Sequence, residues 1–431
     1  MNDSAVVSFK QAFWFWLKLG FISFGGPAGQ IAIMHKELVE QKRWISESRF
    51  LHALNYCMLL PGPEAQQLAT YLGWSMHGVR GGLVAGGLFV LPSLLILTGL
   101  SWAYLSFGQT ATAAGILYGM KAAVVAIVMH AVWRVGKRTL RHPVLMLIAL
   151  FAFIALFFLH LPFPLIVAMA AILGWIGGRY APYIFQPGHP HSDPDVQETP
   201  GTSNLPAPAW KTTVRWLLTG ALLWAVLMLI LLASLGWTST LTQLGWFFSK
   251  AALVTFGGAY AVLPYVVQAA VGHYGWLTTT QMMDGLALGE TTPGPLIMIV
   301  AFVGFVAAWQ TQTLGADQLL LAAITGAGIA TFFTFLPSFI FIFAGAPWVE
   351  ASRGKLSWSA PLSAITAAVV GVIFNLALFF AGHVLWPQGA EGRLDIAAAL
   401  MILAALFALW RLRWNVIPVL FLCALAGWWL Q

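Results

Sequence analysis

Phe-Gly-Gly at residues 24–26 returns at residues 256–258, and Pro-Gly-Pro at residues 61–63 returns at residues 293–295. Both tripeptides recur 232 positions later, from 24 to 256 and from 61 to 293. Glycine and proline interrupt helices, because glycine lacks the side chain that restricts the backbone and proline lacks the N–H that a helix interior needs. The chain therefore carries the same pair of helix breaks twice, which indicates an internal duplication.

Other residues follow the same repeat. Lys18 corresponds to Lys250 at the offset of 232, and Leu-Pro-Ser at 91–93 corresponds to Leu-Pro-Ser at 336–338 at an offset of 245. An insertion of 13 residues near 304–318 accounts for the change of offset. Duplicated helix breaks in an apolar chain are typical of secondary transporters.

The composition indicates a membrane protein. Apolar residues make up 60% of the chain and charged residues only 8%, whereas average soluble domains carry about 25% charged residues. Apolar runs of spanning length recur, for example at 144–160 and 217–235. The 21 basic against 14 acidic residues are attributed to cytoplasmic loops, so no nucleic-acid partner is expected. The two cysteines lie in apolar segments, so neither a disulfide framework nor a metal site is expected.

The predicted fold is an all-α polytopic membrane protein with two inverted-topology repeats and discontinuous helices. Residues 1–185 form the N-terminal membrane repeat, 186–210 a flexible, proline-rich cytoplasmic linker, 211–239 an extra connecting transmembrane helix, and 240–431 the C-terminal membrane repeat. Besides two interrupted helix pairs in each half, the predicted spans are about 83–105, 112–133, 144–160, 163–178, 217–235, 319–343, 361–383, 396–410 and 416–430.

The distribution of basic residues predicts the orientation. The loop at 36–49 holds four lysines and arginines, whereas the equivalent loop at 272–281 holds none. Because one extra span separates the repeats, these loops fall on opposite sides and the repeats are inverted. The N-terminus is then cytoplasmic and the C-terminus outside, in a bacterial cytoplasmic (inner) membrane. No signal peptide is expected, since the first ten residues are polar.

The breaks predict an anion-binding site. A half-helix that starts after a break presents free N–H groups and a positive dipole end, which bind phosphate- and sulfate-like anions. Lys18 and Lys250, about two turns before the glycine breaks, would add charge, although each could instead extend to the interface or pair with a glutamate. Ser23 and Thr255, one residue before the breaks, offer hydroxyl donors.

Few acidic residues lie within the predicted spans. Glu64 follows the first Pro-Gly-Pro and Glu290 precedes the second, so the two carboxylates do not occupy equivalent positions. An intramembrane carboxylate indicates function by default, the alternative being a structural partner for a lysine or a helix end. His130 and its counterpart Asn375, together with Asn55, either line a polar path or satisfy buried hydrogen bonds.

These considerations define two sets of candidate residues. The predicted coupling or gating residues are Glu64, Glu290, Asn55, His130 and Asn375. The predicted substrate-binding residues are Lys18, Ser23, Gly25, Gly26, Pro61, Gly62, Pro63, Gln66, Gln67, Lys250, Thr255, Gly257, Gly258, Thr291, Thr292, Pro293, Gly294 and Pro295.

Longer motifs connect the chain with a known family. F-G-G-P-A-G-Q-I-A-I-M-H at 24–35, E-L-V-E at 37–40, L-P-G-P-E-A-Q-Q-L-A at 60–69, F-G-G-A-Y at 256–260 and G-E-T-T-P-G-P at 289–295 strongly resemble the chromate ion transporter family, in its long bidomain type. The resemblance covers nearly the whole chain. It implies efflux of chromate, a tetrahedral dianion that resembles sulfate, from a bacterial cytoplasm.

Physical considerations agree with that implication. Moving a dianion out of a cell with a negative interior releases about 4.6 kcal/mol of free energy per 100 mV. The sequence has no phosphate-binding loop for ATP and no metalloprotease motif, so we expect a secondary transporter without a cofactor rather than an enzyme. The membrane potential is the predicted driving force, with proton coupling left open. The alternatives are uptake of sulfate or a related oxyanion, or an anion channel. The expected partners are chromate, the lipid bilayer and, as open questions, sulfate, protons and a second copy in a homodimer.

Overall fold

The structure is a computed structural model that describes residues 7–24, 26–185, 210–352, 359–389 and 392–430. Gly25 and residues 186–209, nearly all of the predicted linker, lie outside the described residues. Within these ranges the regular elements are helices and no strand occurs.

Eight helices precede the linker region, and nine follow it in the described part of the chain. The first set comprises α1 (Phe9–Ile22), α2 (Gly26–His35), α3 (Glu47–Cys57), α4 (Glu64–Phe107), α5 (Ala111–Thr139), α6 (Pro143–Phe157), α7 (Phe163–Tyr180) and the short α8 (Pro182–Phe185). The second set comprises α9 (Trp210–Leu235), α10 (Thr240–Leu253), α11 (Ala259–Val267), α12 (Thr279–Thr291), α13 (Ile299–Gln310), α14 (Leu319–Ser352), α15 (Ser359–Leu385), α16 (Ile396–Trp410) and α17 (Val416–Leu430).

The duplication seen in the sequence extends to the backbone. Helices α2 and α11 each continue into a π-helical turn, at Lys36–Gln41 and Gln268–His273. These turns are 232 positions apart, as are the first residues of the next helices, Glu47 of α3 and Thr279 of α12. Because π-helical turns are rare, their recurrence at the repeat offset shows that the two halves share the backbone path over this stretch.

The helices confirm a polytopic membrane protein. Six of those in the described residues are long and apolar enough to cross a membrane, namely α4, α5, α7, α9, α14 and α15, and four shorter apolar helices accompany them. The predicted spans at 396–410 and 416–430 coincide with α16 and α17. The inverted relation of the repeats stays a prediction.

One predicted span is part of a longer element. The predicted span at 83–105 lies within α4, which begins directly after the first Pro-Gly-Pro and changes direction at His77 and Gly78. Gly78 has a φ of +60° and a ψ of −153°, a conformation open to glycine alone. In the second repeat the corresponding helices α13 and α14 are separated by residues 311–318. The insertion deduced from the change of offset therefore lengthens this bend into a loop.

The two repeats exchange their packing partners. Helix α5 packs against α16 and α17, and the equivalent helix α15 packs against α6 and α7. Small residues permit the close approach, since a Cβ on Gly119 would overlap the carbonyl oxygen of Cys423 and one on Gly371 would overlap that of Ala149. The central helix of each repeat thus needs the other repeat to cover it.

Topology can be tested with a matched pair of single cysteines. Ser48 and Thr280 are exposed and stand 232 positions apart at the starts of α3 and α12. With the buried Cys57 and Cys423 replaced by alanine, we expect a membrane-impermeant thiol reagent to label Thr280→Cys in intact cells and Ser48→Cys only after permeabilisation. Labelling of both from one side would show that the repeats are parallel.

Candidate functional site at the helix breaks

The helix breaks of the two repeats are joined by a pair of equivalent hydrogen bonds. The N–H of Gly62 donates to the carbonyl oxygen of Thr255 at 2.7 Å, and the N–H of Gly294 donates to that of Ser23, also at 2.7 Å. Gly62 and Gly294 are equivalent, as are Ser23 and Thr255. Each Pro-Gly-Pro is therefore bound to the residue that precedes Phe-Gly-Gly in the other repeat.

Side-chain packing around the two glycines is also reciprocal. Gly62 and Gly294 have φ angles of +124° and +105°, which favour glycine. A Cβ on Gly62 would lie 2.5 Å from Oγ of Ser338, and a Cβ on Gly294 would lie 2.7 Å from Cβ of Ser93. The two serines are the equivalent residues of the duplicated Leu-Pro-Ser. Each break is thus enclosed by the other repeat, and no side chain fits at either glycine.

The half-helices that start at the breaks begin near one another. Helix α2 begins at Gly26 and α11 at Ala259, and a Cβ on Gly258 would lie 4.0 Å from Cγ of Pro27. Helix α4 begins at Glu64, two residues after the hydrogen bond of Gly62. Because a helix start carries free N–H groups and a partial positive charge, this region suits an anion.

Buried polar atoms without partners surround the breaks. Among the described residues, Oγ of Ser23 and Oγ of Ser93 have no hydrogen-bond partner, and both side chains are buried. The same is true of the Oε1 atoms of Gln30, Gln66 and Gln67. Buried polar groups are normally satisfied, so this set indicates a place for water or a polar ligand. The two hydroxyls can donate to an anion, whereas the three amide oxygens can only accept.

Two of the glutamine side chains are fixed by the breaks themselves. Nε2 of Gln30 donates to the carbonyl oxygen of Gly294. Nε2 of Gln67 donates to the carbonyl oxygen of Pro61 at 2.7 Å and to Oγ of Ser338 at 3.3 Å. These contacts orient both amides, because a backbone carbonyl requires the N–H₂ end.

The hydroxyls of the predicted threonine donors are bonded to carbonyl groups three or four residues earlier in the chain. Thr255 Oγ1 donates to the carbonyl oxygen of Ala251 at 2.6 Å, and Thr292 Oγ1 to that of Gly289 at 2.9 Å. Thr291 Oγ1 likewise donates to the carbonyl oxygen of Leu288 at 2.8 Å. Ser23 thus differs from its equivalent Thr255, since only the serine hydroxyl is without a partner among the described residues.

The two candidate carboxylates face the same helix. Glu64 is half-buried at the start of α4, and its charge interacts with Arg138 of α5. Glu290, also half-buried, accepts a hydrogen bond of 2.6 Å from the hydroxyl of Tyr260 and interacts electrostatically with Arg134. The two arginines are one helical turn apart. Carboxylates at non-equivalent repeat positions therefore share one basic stretch of α5.

The structure does not gather every predicted residue at the breaks. Lys18 is exposed and lines a surface cavity, and Lys250 is exposed with its ammonium 5.5 Å from the ring centre of Trp246. Asn55 is exposed, whereas Asn375 is half-buried. His130 is half-buried and stacks on Trp133, with 5.8 Å between ring centres. Their assignment to substrate binding or coupling stays a prediction.

A charged contact that the sequence reasoning missed links the repeats nearby. Nζ of Lys121 in α5 lies 3.9 Å from Oδ1 of the buried Asp284 in α12. Asp284 Oδ2 accepts a hydrogen bond of 3.0 Å from the hydroxyl of Tyr104. The signal for Lys121 was available, because it is the one lysine or arginine within the predicted span at 112–133. The partner could not be deduced, since it lies 163 residues away.

The equivalent helix contact in the other repeat lacks these charges. His52 is equivalent to Asp284, Val349 to Tyr104 and Thr366 to Lys121. A ring nitrogen of His52 lies 3.0 Å from the carbonyl oxygen of Val349, so the equivalent helices meet in the same way. The ion pair of Lys121 and Asp284 therefore occurs at only one of two similar helix contacts.

Broken half-helices that meet between two repeats inside a polytopic helical protein are typical of membrane transporters. The chain belongs to the chromate transporter family, because the family's sequence model matches residues 10–175 and 242–428, one stretch in each repeat. No solved structure matches the chain significantly.

Relatives with assigned names are similar over nearly the full length. A chromate transport protein of Pseudomonas aeruginosa is 33% identical over 98% of this chain and 92% of its own length. A chromate transport protein of Cupriavidus metallidurans is 30% identical over 88% of this chain and 84% of its own length. A probable chromate transport protein of Synechococcus elongatus is 28% identical over 94% of this chain and 91% of its own length.

Alanine at the junction glycines should destabilise the protein. Gly62→Ala and Gly294→Ala each combine a positive φ with a steric overlap, and we expect each to lower the free energy of unfolding by about 1–3 kcal/mol. The matched control is Gly99→Ala in α4, where a Cβ would meet nothing within 4 Å and where alanine favours the helix. Denaturant unfolding in detergent measures the three values, and equal values would contradict the packing described here.

Removing one member of the charged pair should cost more than removing both. Asp284→Leu leaves Lys121 without its carboxylate, and we expect it to lower the free energy of unfolding by about 2–3 kcal/mol. The double variant Lys121→Met/Asp284→Leu should recover most of that loss, because no unpaired charge is left in the interior. Unfolding titrations of the wild type, both single variants and the double variant supply the cycle. Additive effects would show that the two charges are not coupled.

Proposed function

We propose that this protein is a secondary transporter that exports chromate from the cytoplasm, and that the anion passes through the junction of the helix breaks. The observation that carries the proposal is the reciprocal pair of bonds from Gly62 to Thr255 and from Gly294 to Ser23. Around it lie helix starts and two buried hydroxyls, on Ser23 and Ser93, that have no partner in the described part of the chain. Family membership and the names of the relatives support chromate as the substrate.

The junction offers what a tetrahedral dianion needs after it loses water. Helix starts supply N–H donors and partial positive charge without a mobile cation, and the hydroxyls of Ser23 and Ser93 supply further donors. No lysine or arginine is needed at the centre, so the anion is bound without being trapped by a full counter-charge. A weak, multi-donor site permits release on the far side.

The symmetry of the junction suggests how access could alternate. One hydrogen bond attaches the first repeat's Pro-Gly-Pro to the second repeat, and the equivalent bond attaches the second repeat's Pro-Gly-Pro to the first. Rocking of one repeat against the other would stretch one bond and compress the other. In an inverted protein this exchange would open the junction to one side and then to the other.

Direction follows from charge. Because the interior of the cell is negative, export of a dianion releases about 4.6 kcal/mol of free energy per 100 mV. Glu64 is the candidate for coupling to protons, because it stands at the start of α4 beside the junction and interacts with Arg138. Glu290, held by Tyr260, is the second candidate. Sulfate has the same shape and charge as chromate, so the same donors would accept it.

A reconstituted flux assay tests the proposal. The purified protein is placed in liposomes, and chromate flux is measured while potassium gradients set the voltage and buffers set the pH difference. We expect saturable flux that follows the voltage in the outward direction, and competition by sulfate measures selectivity. Flux that rises without saturation would indicate a channel, and absence of chromate flux at every imposed gradient would refute the proposal.

The glutamate at the junction has its own test. If Glu64 carries the coupling proton, Glu64→Gln should remove the dependence of chromate flux on the pH difference while leaving the concentration for half-maximal flux within about twofold of wild type. The control is Asp317→Asn, which changes an exposed carboxylate in the loop between α13 and α14. If the wild-type flux ignores pH, or if Glu64→Gln keeps the full dependence, Glu64 is not the coupling residue.

A further inference from the structure

We propose that the surface cavity beside α1 is a binding site for the phosphate headgroup of an anionic phospholipid. The cavity has a volume of about 650 Å³ and lies between α1 and the segment that follows the first π-helical turn. Three lysines line it, namely Lys10, Lys18 and Lys42, and the tryptophans Trp14 and Trp44 form part of its wall. None of these residues belongs to the junction of the helix breaks.

The three lysines line the same cavity from two segments of the chain. Lys10, Trp14 and Lys18 follow one another at intervals of four residues, so they lie along one face of α1. Lys42 reaches the same cavity from the next segment, with its ammonium 5.4 Å from the ring centre of Trp44 and 6.0 Å from that of Phe15. Three ammonium groups around one cavity repel one another unless an anion lies between them.

One carboxylate of the described residues pairs with these lysines. Glu37 forms an ion pair with Lys42, with 4.0 Å between Oε2 and Nζ. Within the described residues, neither Lys10 nor Lys18 has a carboxylate within 4.0 Å. Among the described residues, Lys10 and Lys18 thus have no carboxylate partner, and a phosphate in the cavity would supply an anionic partner.

The neighbouring surface is suited to acyl chains. Trp14 is 60% exposed, and Phe21 and Ile22, about two turns further along α1, are 50% and 37% exposed. Exposed aromatic and aliphatic groups on a membrane protein face lipid, and tryptophans concentrate at the interface. A ligand that is anionic at one end and apolar at the other matches this surface better than a free inorganic anion does.

The equivalent surface of the second repeat lacks two of the three charges. Lys10 corresponds to Thr242 and Lys42 to Tyr274, whereas Lys18 corresponds to Lys250.

The ring of Tyr274 stacks on Trp276 with 4.1 Å between ring centres and 4° between planes. It occupies the place that the ammonium of Lys42 takes over Trp44. A substrate path shared by two repeats would not need charge in one repeat alone. A site for the anionic lipids of one leaflet would need charge in one repeat alone, because the repeats are predicted to face opposite leaflets.

Native mass spectrometry of the purified full-length protein tests the assignment. The probes are dioleoylphosphatidylglycerol, which is anionic, and dioleoylphosphatidylcholine, which carries no net charge. We expect the wild type to retain the first in preference to the second. Each lysine near a headgroup contributes about fivefold in affinity, so Lys10→Gln/Lys42→Gln should reduce the preference about 25-fold.

The matched control is Lys250→Gln, which removes the equivalent of Lys18 from the second repeat and should leave the preference unchanged. Because the three lysines are exposed, their replacement removes little packing, and size-exclusion chromatography checks that each variant is intact. The single variant Lys42→Gln, with an expected loss of about fivefold, supports the result if the double variant is unstable.

Two outcomes would overturn the proposal. Unchanged preference in Lys10→Gln/Lys42→Gln would show that the cavity does not select the headgroup. Displacement of phosphatidylglycerol by millimolar sulfate, together with loss of chromate flux by Lys18→Gln in liposomes of phosphatidylcholine alone, would show that the cavity takes free oxyanions. That second outcome would assign Lys18 to the substrate path, as the sequence predicts.

Discussion

Two backbone hydrogen bonds, from Gly62 to Thr255 and from Gly294 to Ser23, hold the broken helices of this protein in place. A helix interrupted at membrane depth leaves N–H and C=O groups that lipid cannot satisfy. Here the donor freed by each Pro-Gly-Pro is satisfied by an acceptor freed at the other repeat's Phe-Gly-Gly. Each break is thus satisfied by the other repeat, which fits their recurrence at one spacing.

The same constraint accounts for the packing of the helices. Because each break is bonded to the other repeat, the long helices bring the repeats together closely: α5 packs against α16 and α17, and α15 packs against α6 and α7. Glycines at 119 and 371 allow backbone contact where a larger residue would hold the helices apart. Ser93 and Ser338 then occupy the space that the junction glycines leave open. The two repeats therefore pack extensively against each other.

The sequence predicted the elements well because the repeat and the apolar runs report local structure. Helices α16 and α17 have the predicted bounds, and the breaks lie where glycine and proline require them. Contacts between distant residues were not accessible in this way. The pairing of Lys121 with Asp284 depends on how α5 and α12 meet, and the exposure of Lys18 depends on which face of α1 turns outward. Periodicity within one helix does not determine which face meets another helix.

Some features match between the two repeats and others do not, and this difference separates two kinds of role. The junction is made from backbone groups, glycines and serines that match in both repeats, so it depends on the symmetry. Several charges do not match, since Lys121 corresponds to Thr366, Asp284 to His52 and Lys10 to Thr242, whereas Lys18 does correspond to Lys250. A transported ion meets both repeats in turn, whereas the membrane potential and the lipid composition differ between the two sides. Features that act on the substrate are therefore expected in pairs, and features that respond to one side of the membrane are expected singly. By this criterion the glycine junction fits the proposed transport path, and Lys10 and Lys42, which have no charged counterpart in the second repeat, fit the proposed contact with one leaflet; Lys18, which corresponds to Lys250, is not assigned by it.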